Sequence, residues 1–423
     1  MLLTRIIDKV ARTDGPRVLA GLIRLTGGDF DAAEDALQEA YARALIVWPR
    51  DGLPAQPGAW INTVSRRLVL DGLRREATRR RRSTPLDEDA AAIEMPAAGL
   101  EGAAPDDPSG IDDDRLRLLF VCCHPALSPE AQKSLALRSL GGLTTREIAR
   151  AFVEPEATTA QRLVRAKRKI RDARIAYEVP ARARLPERID VVLSVLYLIF
   201  NEGYASTDAP SLVRPDLVAE AIRLARLASE LLPDSAEACG LLALMLLTDA
   251  RRPARLTADG EFVPLEAQDR SRWHHAQIAD GVALLDVTLA RGEPGPYQIQ
   301  AAIAALHSQA ATAAATDWRQ IAALYRALLQ HLPTPIVELN AAVALGMASS
   351  VDRALDWIGR LERHPDLAGY HLLPAAQAEL LRRQGRYDAS SHAYRRALAL
   401  VTNPAERRYL DRRLAECDAA AGA

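Results

Sequence analysis

The sequence predicts an all-α protein: two small helical domains, the second a helix-turn-helix, joined by an acidic linker and followed by a long tetratricopeptide-like domain. Three observations predict this. Ala, Leu and Arg dominate the 423 residues, hydrophobic residues make up 49% and aromatics only 5%, a balance that suits helix better than sheet. Apolar residues recur at helical spacing, and no alternating β-branched run is long enough for a sheet. Charge is segregated: residues 1–82 carry 15 basic and 10 acidic side chains, 83–114 carry 10 acidic and no basic ones, and 115–178 carry 13 basic and 6 acidic, although the whole chain is at −1. Two basic blocks around an acidic tether suggest two contacts with a polyanion.

In the first block, Val18, Leu19, Leu22 and Leu25 keep helical spacing up to Gly27-Gly28, a pair that ends a helix. A second helix is expected over 32–47, with Leu37, Tyr41 and Leu45 as its apolar stripe and Glu34, Asp35, Gln38 and Glu39 opposite. The stretch 49–57, rich in Pro and Gly, reads as a loop. A third helix runs from Pro57 to about Arg82 on a stripe of Ile61, Val64 and Leu68. Residues 83–114 have four prolines, many acids and no helical period, and are expected to be a flexible linker.

The second block, 115–178, opens three helices. Ser128-Pro129-Glu130 supplies an N-cap, a Pro at the first helical position and an acid in the first turn, and Gly141-Gly142 closes that helix. Thr144 with Glu147, and Thr158 with Gln161, have the spacing of capping boxes. A short helix, a Glu154-Pro155-Glu156 turn and a longer basic helix with Leu163, Ala166 and Ile170 inside make the helix-turn-helix.

Residues 183–423 read as helix after helix. Ala378, Leu381, Gly385, Tyr387, Ser390, Tyr394, Ala397 and Leu398 fit a tetratricopeptide repeat. Weaker units are anchored by Pro233, after Ala221 and Ala228, and by Pro333, after Leu324 and Leu328. Residues 255–272 break the pattern as an inserted loop. The Asn201-Glu202-Gly203-Tyr204 turn and the Asp259-Gly260-Glu261 loop are candidate contact points for a partner.

Several classes are excluded. Charges at Arg5, Asp8, Lys9, Arg12 and Asp14 interrupt the apolar start, unlike a secretory signal, and no stretch has transmembrane length, so a cytoplasmic location is expected. Cys122, Cys123, Cys239 and Cys417 make no disulfide ladder. The vicinal pair before His124 reads as small buried residues, because no second ligand cluster at zinc spacing exists. No metal or cofactor is expected. His274, His275 and Asp280 form no catalytic set and read as cap or surface residues.

The residues that carry chemistry lie on three helices. Arg74, Arg75, Arg79, Arg80, Arg81 and Arg82 fall within nine residues opposed only by Glu76, a density suited to neutralising phosphates. Trp60, upstream on the same helix, is a core residue or a stacking platform for unpaired bases. The recognition helix, 158–175, holds seven basic side chains against Asp172. Its first turns present Gln161, Arg162 and Arg165, where such a helix meets base edges, and Arg168 and Lys169 further along suit phosphate.

Residues 31–41 (DAAEDALQEAY) resemble the polymerase-binding helix of sigma factors, and residues 60–75 (WINTVSRRLVLDGLRR) the helix that melts and reads the −10 element. Residues 143–149 (LTTREIA) with 158–169 (TTAQRLVRAKRK) resemble the domain that reads the −35 element. In order and linker the chain, over about residues 5–178, resembles the extracytoplasmic-function (ECF) branch of the sigma-70 family. Its C-terminal half resembles the subgroup with an all-helical, tetratricopeptide-like extension (DUF6596).

The resemblance implies four domains: 1–82 as sigma region 2, 83–114 as linker, 115–178 as region 4 and 183–423 as a regulatory extension. It implies that Glu34, Asp35, Gln38, Glu39 and Tyr41 bind the β′ clamp helices of core RNA polymerase. Trp60, Arg66, Arg67, Arg74, Arg75 and Arg79 would engage the −10 element of promoter DNA. Thr145, Arg146, Thr158, Gln161, Arg162, Arg165, Arg168 and Lys169 would engage the −35 element. The acidic linker would thread the RNA exit channel, and a small YCII-like protein is the implied regulatory partner. The chain would not itself be an enzyme. Two positions depart from the family pattern: Arg67 where Asn is usual, and Ala160 where a basic residue is common. The competing reading is a helix-turn-helix regulator with a helical-repeat sensor domain, which leaves residues 1–82 without a role.

Overall fold

The computed structural model describes residues 2–83, 113–152, 154–180, 184–204, 213–292 and 294–422. The expected acidic linker lies almost wholly outside them. Every regular element among the described residues is helical, apart from an isolated antiparallel bridge between Leu256 and Phe262. The chain divides into two units, Met1–Leu198 and Ile199–Ala423.

The first unit begins with α1 (Leu2–Thr13), α2 (Gly15–Leu25), α3 (Phe30–Asp51) and α4 (Pro57–Ser83), packed around Leu22, Ile23, Phe30, Ala33, Ala40, Ala44 and Ile61. Gly27 and Gly28 take φ of 66° and 95° and close α2, with the Gly28 amide donating to the Ile23 carbonyl at 2.8 Å. Left-handed backbone of this kind favours glycine. Asp29 then caps α3 by accepting from the Ala32 amide.

Two expectations for α3 are corrected. Leu45 is 48% exposed, whereas Ala44 is buried. Each residue advances about 100° around a helix, so eight steps from Leu37 swing Leu45 off the core face and seven steps bring Ala44 onto it. The helix also runs through Pro49 to Asp51, so the loop is shorter than expected. Its last turn is anchored by buried Trp48, edge-to-face on Trp60 with ring centroids 5.5 Å apart.

The unit continues with α5 (Asp114–Cys122), α6 (Pro129–Ser139), α7 (Thr145–Ala151) and α8 (Glu156–Asp172). The sequence reading missed α5. It is buried from Leu116 to Cys122, Arg117 included, and a helix buried on nearly every side shows no apolar period. Cys122 and Cys123 lie in or at the end of this buried segment, and burial pushes both thiols up. The Ser128 cap and the Thr144–Glu147 capping box form as expected. The Thr158 box does not: α8 starts two residues earlier at Glu156 behind Pro155, and Thr159 inside the helix donates to Glu154 at 2.5 Å. The division between the units falls within α9 (Pro186–Tyr204).

The second unit holds the end of α9 and then α10 (Pro215–Leu231), α11 (Ala236–Asp249), α12 (His275–Leu289), α13 (Pro296–Gln309), α14 (Trp318–His331), α15 (Pro335–Ala348), α16 (Val351–Leu361), α17 (Leu372–Arg383), α18 (Tyr387–Leu400) and α19 (Pro404–Ala421). From α10 onward each helix packs on the next, and α11–α13 and α15–α17 also pack across one intervening helix. This is the run of stacked pairs expected of a helical-repeat region. The clearest sequence unit spans α17 and α18, joined through Gly385 at φ 71°, with Ala378, Ser390, Tyr394 and Ala397 buried. The Ser390 hydroxyl donates to the Ala378 carbonyl at 2.8 Å.

Residues 201–204 are the last turn of α9 rather than a turn between elements. A side chain at Gly203 would meet the Val218 amide nitrogen at 2.8 Å, so glycine lets α9 approach α10. The inserted loop is bound within its own unit. Gly260, at φ 77°, offers its carbonyl to Arg408 at 3.3 Å, and Glu261 pairs with Arg412 at 2.8 Å. Phe262 packs edge-to-face on Tyr409, and Glu266 pairs with Arg383 and Arg413.

Candidate nucleic-acid interface

Three helices of the first unit hold the residues singled out by the sequence. On α4, Ile61, Ser65 and Val69 face inward, and the Ser65 hydroxyl is satisfied by the Ile61 carbonyl at 2.8 Å. Arg66, Arg67, Arg74, Arg75 and Arg79 are all exposed. The side chains of Arg80, Arg81 and Arg82 lie outside the described residues. Beyond Leu70, α4 is exposed as far as Arg79, and Arg74 lies 3.6 Å from Asp71. Trp60 is half-buried against Trp48.

On α8, Thr159, Leu163, Ala166 and Ile170 are buried. Thr158, Gln161, Arg165, Arg168 and Lys169 are exposed, as is Arg146 in the first turn of α7, and Thr145 is half-buried. Arg165 reaches back only to Gln161, and Arg168 pairs with Asp172 at 3.3 Å. A cleft of about 390 Å³ between the start of α6 and α8 is lined by Ser128, Thr158, Arg162, Arg165 and Lys169 among others.

Arg162 departs from its expected role. Its guanidinium donates twice to Glu154, at 2.6 and 2.5 Å, and to Ser134 at 3.2 Å, and it lies 5.5 Å from the Phe152 ring centroid. Glu154 is held below the usual carboxylate range by that bond first, with help from Thr159. A side chain committed to the turn before α8 is not presented to base edges. The α-helical period accounts for this: Arg162 precedes Leu163 and follows Thr159 by three residues, so it shares the edge of the inner face.

On α3, Asp35, Gln38 and Glu39 are exposed, with Glu39 bonded to Arg43 at 2.8 Å. Tyr41 is not part of that face. It is buried, its hydroxyl meets the position a side chain at Gly15 would take, and burial pushes its pKa up. Glu34 is half-buried because it accepts from Lys167 of α8 at 2.5 Å. Asp31 pairs with Arg171 at 3.2 Å and lies 3.7 Å from Lys167. Sequence reading missed this contact; its one signal is acids three residues apart on one helix and cations four apart on another. Among the described residues no group of three or more His, Cys, Asp or Glu could hold a metal ion.

Comparison with known proteins places these helices. The family profile for sigma-70 region 2 matches residues 11–79, that for sigma-70 region 4 matches residues 117–170, and a family of unknown function (DUF6596) matches residues 188–289. The chain is 41% identical over 404 residues to the uncharacterized protein R00370 of Rhizobium meliloti, covering 96% of this chain and 94% of that one. It is 33% identical over 162 residues to the probable ECF RNA polymerase sigma factor SigI of Mycobacterium tuberculosis, covering 38% of this chain and 53% of SigI. It is also 28% identical over 169 residues to the ECF RNA polymerase sigma factor SigE of Mycolicibacterium smegmatis, covering 39% of this chain and 60% of SigE. No solved structure matches. The chain carries segments that match sigma-70 regions 2 and 4 in that order, is similar over them to ECF sigma factors, continues into an additional C-terminal helical region, and shares nearly its whole length with the Rhizobium protein.

Proposed function

We propose that the protein is a sigma factor that directs core RNA polymerase to specific promoters. The observation that carries this reading is the pairing of two exposed cationic helices, α4 and α8, inside the two segments that match regions 2 and 4 in order. Residues 1–82 act as region 2, 83–114 as the tether through the polymerase, 115–178 as region 4 and 183–423 as a regulatory extension. The acidic face of α3, with Asp35, Gln38 and Glu39 outermost, binds a basic surface of core. Arg66, Arg67, Arg74, Arg75 and Arg79 grip the −10 region by charge, with Trp60 beside them.

Helices α7 and α8 act as a helix-turn-helix at the −35 element. Gln161 and Arg165 face base edges, Thr145, Arg146, Thr158, Arg168 and Lys169 hold the backbone, and Arg162 fixes the turn from inside. The tetratricopeptide-like extension receives a protein partner, for which the family resemblance offers a small YCII-like protein. No helix among the described residues is long and apolar enough to cross a membrane, in keeping with work in the cytoplasm. Transcription by purified core on a promoter library tests the reading. A helix-turn-helix regulator would bind duplex specifically and yield no transcripts with core.

A further inference from the structure

In the second unit, the end of α11, the inserted loop after it and the end of α13 bring Arg251, Arg255, Arg270 and His307 together. Two of the arginines are placed by contacts of their own. Arg270 donates to the His307 and Ala310 carbonyls at 2.6 and 2.8 Å, closing the end of α13, and its guanidinium carbon lies 4.5 Å from the Trp273 ring centroid. Arg255 lies 3.8 Å over the Tyr204 ring and donates to the Tyr204 carbonyl. Arg251 has nothing comparable. Its side chain makes no hydrogen bond or ion pair among the described residues, and its Nε is buried without a partner. The ring nitrogen of Trp273, a residue only 4% exposed, is also unpartnered. Burial lowers the proton affinity of Arg255, Arg270 and His307, and the nearby Arg251 charge lowers each further. His307 falls to about 4 and is neutral near pH 7. The acids at hand are engaged elsewhere. Asp249 pairs with Arg252 at 2.8 Å, and Asp269 accepts from Ser271. Glu406 lies 3.4 Å from His371 and favours the charge of Arg255 less than Arg251 opposes it.

We propose that this cationic nest is a binding site for a phosphate group, with Arg251 as the cation that grips it. Cations withdrawn from water without a counter-charge are costly, and an anion seated among them removes that cost. A free guanidinium fork pairs with two oxygens of a phosphate at once. Mutual repulsion among three arginines favours a dianion over a monoanion such as acetate. Arg270 and Trp273 are fixed beside Arg251 by the end of α13, and the buried Arg255 adds its field from behind. Solvent reaches the nest, because Arg251 and Arg270 are half-buried and Ser271 and Arg272 next to them are exposed. The phosphate is either the free ion or the ester group of a small molecule, since both present the same oxygens. The site lies wholly in the second unit, and its occupancy needs neither core polymerase nor promoter.

The test is isothermal titration calorimetry of the full chain at constant ionic strength with inorganic phosphate, glycerol 3-phosphate and acetate. Saturable binding of phosphate at one site is expected, roughly ten-fold tighter than acetate. Arg251→Gln should weaken phosphate binding by roughly ten-fold, the loss of a two-pronged charge-assisted pair. Arg251→Lys should recover only part of that, because an ammonium has no fork. Arg272→Gln removes an exposed charge from the same loop and should keep the parent's affinity. Thermal unfolding gives a second reading: phosphate should raise the Tm of the parent chain and leave that of Arg251→Gln where it was, whatever the variant's own stability. Tighter binding of glycerol 3-phosphate than of the free ion identifies a phosphate ester as the ligand class, and an ester bound no tighter identifies free phosphate. Phosphate bound no tighter than acetate, or bound equally by the parent and Arg251→Gln, overturns the proposal.

Discussion

Arg162 and Glu154 form a two-pronged ion pair across the turn between α7 and α8, at 2.6 and 2.5 Å. The pair fixes the angle at which α8 leaves its partner helix, and less than a fifth of either side chain is exposed. Arg162→Ala is expected to destabilise the first unit by about 1–3 kcal/mol, the cost of stranding a partly buried charged acceptor. Arg162→Lys should recover little of that, because one ammonium cannot make both bonds. Urea unfolding followed by circular dichroism measures both.

The same pair gives a pH dependence. The folded state holds Glu154 below its ordinary pKa, through the Arg162 bond first. The stabilisation is therefore present above the unfolded glutamate value of roughly 4.3 and is lost as pH falls through the lower folded value. Acid titration of the parent chain and of Glu154→Gln should converge at low pH. Parallel curves throughout would remove the pair from the stability of the turn.

In the second unit, burial first, then Arg251 and Arg270, push His307 down to about 4. The unfolded chain binds the proton near pH 6.5, so stability is full above that value and declines as pH falls toward 4, by up to about 3 kcal/mol. His307→Phe should keep the contact with Trp318, whose ring centroid is 5.2 Å away, and flatten the decline between pH 6.5 and 4. Thermal unfolding across that range is the measurement.

On the exposed face of α8, Arg165→Ala is expected to cost about 1–3 kcal/mol on a matched promoter and to relax preference at one base pair. Arg168→Ala and Lys169→Ala should weaken binding on all sequences and lower the salt slope by about one unit. Equal losses for the three variants on matched and scrambled duplex would reduce the helix to a phosphate grip.

Much of this arrangement was legible in the sequence. The Ser128 cap, the Thr144–Glu147 box and the Gly27-Gly28 and Gly385 turns are local signals, and each formed where its residues stand. The exposed cations of α4 and α8 were legible because a dense basic run has little reason to be buried. What the sequence hid depends on the third dimension. α5 shows no period because it is buried on almost all sides. Arg162 looked like a surface residue by spacing, yet Glu154 lies across the turn; Tyr41 is buried, as its place on the apolar stripe implied and its assignment to the polymerase-binding face did not, and Gly15 leaves room for its hydroxyl. Lys167 meets Glu34 across 133 residues, and the spacing of acids on one helix and of cations on another does not say that the two helices meet.

Charge reversal on the outermost part of α3 probes polymerase binding. Asp35→Lys with Glu39→Lys is expected to abolish comigration with core, with helicity by circular dichroism unchanged because both side chains are exposed. Retained comigration would move the core-binding surface to another element.

The central claim is that this chain gives core polymerase its promoter choice. The most direct measurement is run-off transcription with purified core on a randomised promoter library, sequencing the transcripts made with and without the full-length chain. The account predicts transcripts that appear only with the chain and start downstream of two conserved elements, and their loss with Asp35→Lys and Glu39→Lys. A folded chain that yields the same transcripts as core alone would contradict it.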